Sequence, residues 1–315
     1  MAMKICSLVP GATEVVAALG LTDRLVGISH ECDFPAAVRH APVMVEAVIE
    51  NATASSGAID EAVKALLSSG QRLYRLNEAA FIKTNPDVVL SQDLCHVCAV
   101  TPDQLIRAIG SLPAKPKMVT LNPTGIEDIL SDIERIGDGI GAGAESAAFA
   151  ASLRSRLESV RRQAAVRAQR PRVLCLEWLA PLYIGGHWVP EMVDFAGGID
   201  VLGQAGRPSK TVSWEEVTAA NPDIVLLMPC GFPVERTIEE LRLLSQSSSA
   251  WAQVLAEWKR IYVVDAASYF SRPGPRLVDG VELLSEIFGH TASPRFGESA
   301  VRPVTLESFS RRLHA

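Results

Sequence analysis

Two stretches of this chain follow one plan. NEAAFIKTNPDVVLSQ at 77–92 and WEEVTAANPDIVLLM at 214–228 each pass from an acidic helix start through a short helix and an Asn-Pro-Asp turn into an apolar strand. Proline closes each helix, because the residue before a proline is pushed out of the α region. Asp87 and Asp223 then open the strands. The two turns stand 136 residues apart (Asn85 to Asn221), which describes a two-fold duplication into similar lobes and not a solenoid.

The rest of the chain agrees with that division. The runs KICSLV, RLVGIS, DVVLSQ and KMVTLN come first, and RVLCLEW, DIVLLM and RIYVVD follow. Each is short, apolar and bounded by Gly, Pro, Asn or Asp, and most precede a helical pattern. This alternation predicts an α/β protein with two lobes, each built on a mainly parallel sheet flanked by helices. Between the copies, 141–170 is rich in Ala, Arg, Leu and Glu and has no proline. Phe149, Leu153, Leu157 and Val160 fall on one helical face. A helix of about 26 residues would run about 39 Å, long enough to join two lobes as a rigid backbone. The expected divisions are a first lobe over 1–125, a helical linker over 126–170, a second lobe over 171–290 and a peripheral tail over 291–315.

With 315 residues, 48% of them hydrophobic and 21% charged, each lobe can bury its own core. The net charge of −6 argues against a nucleic-acid surface and leaves a small molecule or a protein as partner. No apolar run approaches the roughly 18 residues that cross a bilayer, so the chain is not membrane-embedded. MAMKICSLVPGATE runs straight into a strand without a charged n-region or a long apolar h-region. As written, the chain reads as cytoplasmic, or as periplasmic or extracellular if a leader has been removed. Cys6, Cys175 and Cys230 sit in or beside apolar runs and read as buried reduced thiols.

Several loops carry candidate chemistry. In SLVPGATEVVAALGL, Thr13 reads as the N-cap of a helix that follows a strand, the place where α/β proteins bind ligands. No phosphate-binding glycine signature is present. GISHECDFP supplies His30, Cys32 and Phe34. SQDLCHVC supplies Asp93, Cys95, His96 and Cys98. Thiolates and imidazole gathered at one sheet edge, with Cys32 joining Cys95, His96 and Cys98, would suit zinc, iron or another soft metal. The same C-x-x-C could serve redox chemistry or simply line a pocket. LEWLAPLYIGGHWVPEMVDFAGG concentrates Trp178, Tyr183, His187 and Trp188, aromatic surfaces that suit a flat, bulky ligand. DAASYFSRPGPRL places Tyr269, Phe270 and Arg272 before a Pro-Gly-Pro turn, where Arg272 could pair with an anionic ligand edge.

In this order, SLVPGATEVVAALG, LVGISHECDFP, NPDVVLSQ, EWLAPLYIGG, VSWEEVTAANPDIVLL and SYFSRPGPRLVDGVELL resemble the solute-binding proteins of cobalamin and metal-chelate ABC importers, most of all the cobalamin-binding branch. The resemblance spans roughly 4–290. It implies two α/β lobes joined by one long helix, with a corrinoid or related chelate held in the cleft between them and no enzymatic activity. It places ligand contacts near Cys32–Phe34, in SQDLCHVC, near Trp178–Tyr183, and at Tyr269, Phe270 and Arg272. It also implies one glutamate per lobe that docks on the permease. Glu215 matches the second of these; the first falls at Ala79, beside Glu78. The other readings are a haem or siderophore binder of the same fold and a cytoplasmic metal-binding or redox enzyme using Cys95, His96 and Cys98.

Overall fold

The computed structural model describes residues 2–49, 54–92, 102–289 and 295–304. In chain order the first half holds β1 (Ile5–Ser7), α1 (Pro10–Ala18), β2 (Leu25–Ser29), β3 (Val43–Ala47), α2 (Ser56–Ser68), β4 (Tyr74–Leu76), α3 (Glu78–Thr84), β5 (Val88–Gln92), α4 (Pro102–Gly110), β6 (Lys117–Leu121), α5 (Ile126–Ile140) and α6 (Gly143–Ala165). The second half holds β7 (Arg172–Leu179), β8 (Leu182–Ile184), α7 (Val189–Phe195), β9 (Ile199–Asp200), β10 (Lys210–Thr211), α8 (Trp214–Ala220), β11 (Ile224–Leu227), α9 (Val234–Ser247), α10 (Ser249–Glu257), β12 (Ile261–Val264), α11 (Ala266–Tyr269), α12 (Leu277–Gly289) and β13 (Val301–Val304). The described residues fall into two compact units. One takes those within 1–54, 58–154 and 273–275, and the other takes those within 55–57, 155–272 and 276–315.

The first unit is built on a six-stranded sheet in the order β4-β3-β2-β1-β5-β6. All its pairs are parallel except β3 with β4. Its central strands are unbroken apolar runs because helices cover both faces; Ile5, Cys6, Val89 and Leu90 are fully buried. Phe81 of α3 drops into the core beside Met44 and Val89, a burial that contributes roughly 1.5–3 kcal/mol. The segment Pro273–Pro275 belongs to this unit. It lies against the first turn of α1, where a side chain on Gly11 would overlap the Pro273 carbonyl.

The second unit has seven strands in the order β10-β8-β7-β11-β12-β13, with β9 added on β7. Strands β7, β9, β11 and β12 are parallel, whereas β8, β10 and β13 pair antiparallel. The sequence 291–315, expected as a peripheral tail, thus contributes an edge strand: β13 pairs with β12 over its whole length. Its period-2 signal is too short and too broken by Pro303 to stand out in the sequence.

The repeated plan is one structural device used twice. Asn77 caps α3 by accepting from the Ala80 N–H at 3.0 Å, and Ser213 with Glu216 forms a capping box on α8. Asn85 and Asn221 end these helices in the left-handed region, at φ 45° and 43°, which Asn tolerates better than most residues. Each aspartate then locks the next strand to its neighbour. The Asp87 carboxylate accepts from the Lys4 N–H at 2.7 Å while its own N–H donates to the Lys4 carbonyl at 2.9 Å. Asp223 makes the same pair of bonds with Arg172, both at 2.8 Å.

The stretch 126–170 is two helices, α5 packed on α1 and then α6. The buried face of α6 is Ser146, Ala150, Leu153, Leu157, Val160 and Ala164. The expected face is therefore displaced at its start: Ser146 and Ala150 are fully buried and Phe149 only half-buried. A Cβ on Gly137 of α5 would overlap Ser146. The division between units falls within α6, after Arg154. In the first unit Arg154 pairs with Glu127 and Glu134 of α5. In the second, Arg156 pairs with Asp279 and Glu282 of α12.

Candidate functional site

In the first unit the chain leaves β1 at Ser7 and enters α1 at Pro10, whose fixed φ suits the first helical position. The helix therefore starts earlier than the sequence reading placed it. Thr13 is not the N-cap but a fully buried residue of the second turn, and Val9 caps without a side chain. The Thr13 hydroxyl donates to Ser7 Oγ at 2.8 Å, and Ser7 Oγ donates to the Val9 carbonyl at 3.2 Å. Cys32 Sγ lies 3.0 Å from Thr13 Oγ1. The Thr13 hydroxyl also lies 3.2 Å from the Val9 carbonyl.

Cys32, one of the sequence's metal candidates, has a buried side chain, 4% exposed, in contact with Thr13. Burial pushes the neighbouring Cys6 thiol far up, and the proximity of Cys32 adds to this. His30 is also engaged. Its Nδ1 is 2.9 Å from the Val45 carbonyl, its Nε2 is 3.4 Å from the Glu31 carboxylate, and its ring lies 5.7 Å from that of Tyr74. The bond to Glu31 raises its pKa against the opposing effect of burial. Phe34 is 47% exposed on the same loop. Asp93, Cys95, His96 and Cys98 lie outside the described residues. Among the described residues, no three His, Cys, Asp or Glu side chains gather as a metal site.

In the second unit, the end of β7 and the segments that follow β8, β11 and β12 are knitted together. The Cys230 N–H donates to the Glu177 carbonyl at 3.0 Å, and the Gly186 N–H donates to the Glu177 carboxylate at 3.0 Å. The Gly231 N–H donates to Ser271 Oγ at 3.1 Å, and the Trp188 indole donates to the Phe270 carbonyl at 2.8 Å. Cys230 is exposed here, unlike the buried thiol the sequence predicted, because it falls in the turn beyond β11. Loops beyond the carboxyl ends of parallel strands are where open α/β sheets hold ligands.

Several sequence candidates lie on or beside these segments. Trp178 and Tyr183 are direct cross-strand partners on β7 and β8, so both project from one face of the sheet, and both are half-buried. His187 follows β8 at φ 50°. Its half-buried imidazole is 5.7 Å from the Trp188 ring, and burial lowers its pKa. Tyr269 is half-buried and edge-on to Phe296 at 5.9 Å, and burial raises the pKa of its phenol. Arg272 is half-buried at the end of the same segment. Phe270 is corrected: its ring is 2% exposed, sealed in the core, and only its backbone reaches the loop network.

Sequence reasoning missed the support under Trp178. The indole N–H donates to the Ser56 carbonyl at 3.1 Å, and the ring packs on Phe232 at 5.4 Å. The Arg236 guanidinium lies over the Phe232 ring at 4.6 Å and is 3.4 Å from the fully buried Glu240 carboxylate. Glu240 accepts from Ser56, which closes the ring of contacts. Ser56 and Glu240 are 184 residues apart and carry no shared motif.

The two glutamates expected to dock a permease occupy the first turns of the repeated helices. Glu78 is 3.8 Å from Arg107 Nη2 on α4. Glu215 is fully solvated, and the Ser213 hydroxyl lowers its pKa.

Comparison with known proteins places this architecture. An ABC transporter substrate-binding lipoprotein of Bacillus subtilis, YvrC, itself uncharacterized, is 23% identical over 290 residues, which cover 90% of this chain and 79% of the relative. The vitamin B12-binding protein of Vibrio cholerae is 23% identical over 295 residues, covering 89% of this chain and 87% of the relative. The solved structure of the periplasmic heme-binding protein RhuT from Roseiflexus superposes with a TM-score of 0.64 at 21% identity, covering 93% of this chain and all of that one. These relatives are binding proteins and not enzymes. They also overturn the cytoplasmic expectation, because they are a lipoprotein and a periplasmic protein. That expectation rested on the first residues alone, and the start of a sequence does not fix where its fold works. Residues 5–266 match the family described as periplasmic binding protein, and the chain belongs to that family, the solute-binding proteins of ABC importers.

Proposed function

We propose that this protein works outside the cytoplasm, where it binds a corrinoid or a related metal chelate and delivers it to an ABC permease. The observation that carries the reading is the Trp178–Tyr183 pair: two aromatic neighbours on one sheet face, half-buried rather than sealed, at the ligand-binding edge of a chain that aligns almost end to end with a vitamin B12-binding protein. A corrin is broad, flat and largely apolar, and its rim carries polar amides. Aromatic faces beside a few polar groups suit it. Arg272 and Tyr269 are the polar contacts assigned to that rim, Phe34 and the SQDLCHVC stretch are the contacts assigned to the first unit, and Glu78 and Glu215 are the permease contacts.

Titration with cyanocobalamin, hydroxocobalamin and ferric haem, followed by tryptophan quenching, tests the reading. Corrinoids are expected to bind at micromolar concentration or tighter, and Trp178→Ala is expected to weaken them at least about tenfold, the loss of 1.4 kcal/mol. Tighter binding of haem than of either cobalamin would replace the corrinoid by a porphyrin, and no quenching by any of the three would end the proposal.

A further inference from the structure

His187 is one of three described non-glycine residues with positive φ, and the other two, Asn85 and Asn221, have the ordinary duty of ending helices. His187 ends none; it precedes α7. Its backbone is clamped on both sides: its N–H donates to the Arg207 carbonyl at 2.6 Å, and its carbonyl accepts from the Gly206 N–H at 2.9 Å. Gly186 before it has no room for a side chain, since a Cβ would meet the backbone of Pro208 and Ser209. The neighbouring Trp188 is anchored by its indole to the Phe270 carbonyl. The main chain around His187 is thus fixed in a conformation that costs a β-carbon-bearing residue about 1–3 kcal/mol. The imidazole itself, by contrast, has no hydrogen-bond partner among the described residues. It is half-buried and reachable from solvent, and burial lowers its pKa. A strained backbone that holds an unengaged nitrogen donor in place is how a protein prepares a ligand atom.

We infer that His187 is an axial donor, the imidazole that coordinates the metal of a bound chelate whose axial position is open or exchangeable. This rests on the chelate-binding reading above and narrows it. The cargo would be a square, ring-bound metal with a labile axial water, and one whose axial positions are both blocked would bind without this bond. The imidazole offers a ring-nitrogen lone pair to the metal. The coordinate bond forms as the axial water leaves, and no electron changes hands.

The test uses aquacobalamin and ferric haem as probes and cyanocobalamin as the blocked control, with wild type, His187→Asn and His187→Gly. Both substitutions accept positive φ, so the loop keeps its shape. Two signals are read: tryptophan quenching for binding, and the visible bands for coordination. The expected result is a shift of the aquacobalamin or haem bands to those of an imidazole-ligated metal in wild type, lost in both variants while quenching still saturates, and restored in His187→Gly by added imidazole. Affinity for the open-axial probe should fall about tenfold or more, with cyanocobalamin unchanged. Quenching with identical bands in wild type and variants overturns the role of His187 alone. Absence of quenching by all probes in wild type overturns the chelate reading together with it.

Discussion

The Glu240 carboxylate accepts two hydrogen bonds from Ser56, one from the backbone N–H at 2.8 Å and one from the hydroxyl at 2.5 Å. Both residues are fully buried. A buried charge holds its place only while its bonds are made. Ser56→Ala removes the hydroxyl bond and leaves part of that charge unmatched, which costs about 1.5–3 kcal/mol for a bond to a charged group. Urea denaturation should show that loss, and the Trp178 indole, bonded to the Ser56 carbonyl, should report it as a shifted emission maximum. A stability within error of wild type would mean that Glu240 does not depend on Ser56.

Arg154 and Arg156 are two positions apart on α6 and serve different units. Arg154 grips Glu127 and Glu134, whereas Arg156 grips Asp279 and Glu282, the latter shared with Arg295. Each arginine is partly exposed, so each replacement by Gln is expected to cost about 1 kcal/mol or less and to matter less in high salt. Hydrogen exchange separates them: Arg154→Gln should speed exchange in α5, and Arg156→Gln in α12. Equal acceleration of both helices by either variant would contradict this division of labour.

The sequence revealed the parts of the fold whose cause is local. The Asn-Pro-Asp turns, the apolar strands and the long helix each follow from neighbours along the chain, and each appears where it was expected. The pattern placed the face of α6 one residue off at Phe149: Ala150 is the buried residue there, and which side of a helix start packs inward depends on tertiary partners. The candidate residues were legible as residue types near strand ends: Trp178 and Tyr183 pair across β7 and β8, and His187 follows β8. Orientation was not legible. Nothing in HECDFP says that Cys32 turns inward to Thr13, and nothing in SYFSR says that Phe270 is sealed while Tyr269 is not. Those outcomes depend on partners far along the chain, as does the support of Trp178 by Ser56 and Glu240.

Two glycines separate backbone approach from simple flexibility. Gly11 meets the Pro273 carbonyl and Gly274 so closely that an added methyl has no room, and its neighbour is backbone that cannot swing aside. Gly11→Ala should therefore destabilise the first unit by about 1–3 kcal/mol, the usual cost of overpacking. Gly110, the last residue of α4, has open space around its Cα and an ordinary φ. Gly110→Ala should be neutral or slightly stabilising, since alanine loses less entropy in a helix. Thermal unfolding of the pair checks both directions at once, and a Gly11→Ala midpoint equal to that of Gly110→Ala would refute the contact.

His30 should give the first unit a pH dependence of known sign. The groups around its ring include the Glu31 carboxylate at 3.4 Å, the Val45 carbonyl at 2.9 Å, the Ser29 hydroxyl at 3.4 Å, Glu46 and the Tyr74 ring. The bond to Glu31 leads in raising its pKa above the ordinary value of about 6.5, against the desolvation that would lower it. The folded state therefore holds the proton more tightly than the unfolded chain. The stabilisation is fully present below the unfolded pKa and is lost as pH rises through the higher folded value. His30→Gln removes it, so the stability gap between wild type and variant should be wider at pH 5.5 than at pH 8. Paired urea titrations at the two pH values measure the gap, and a gap that is equal, or wider at pH 8, would reverse the assignment.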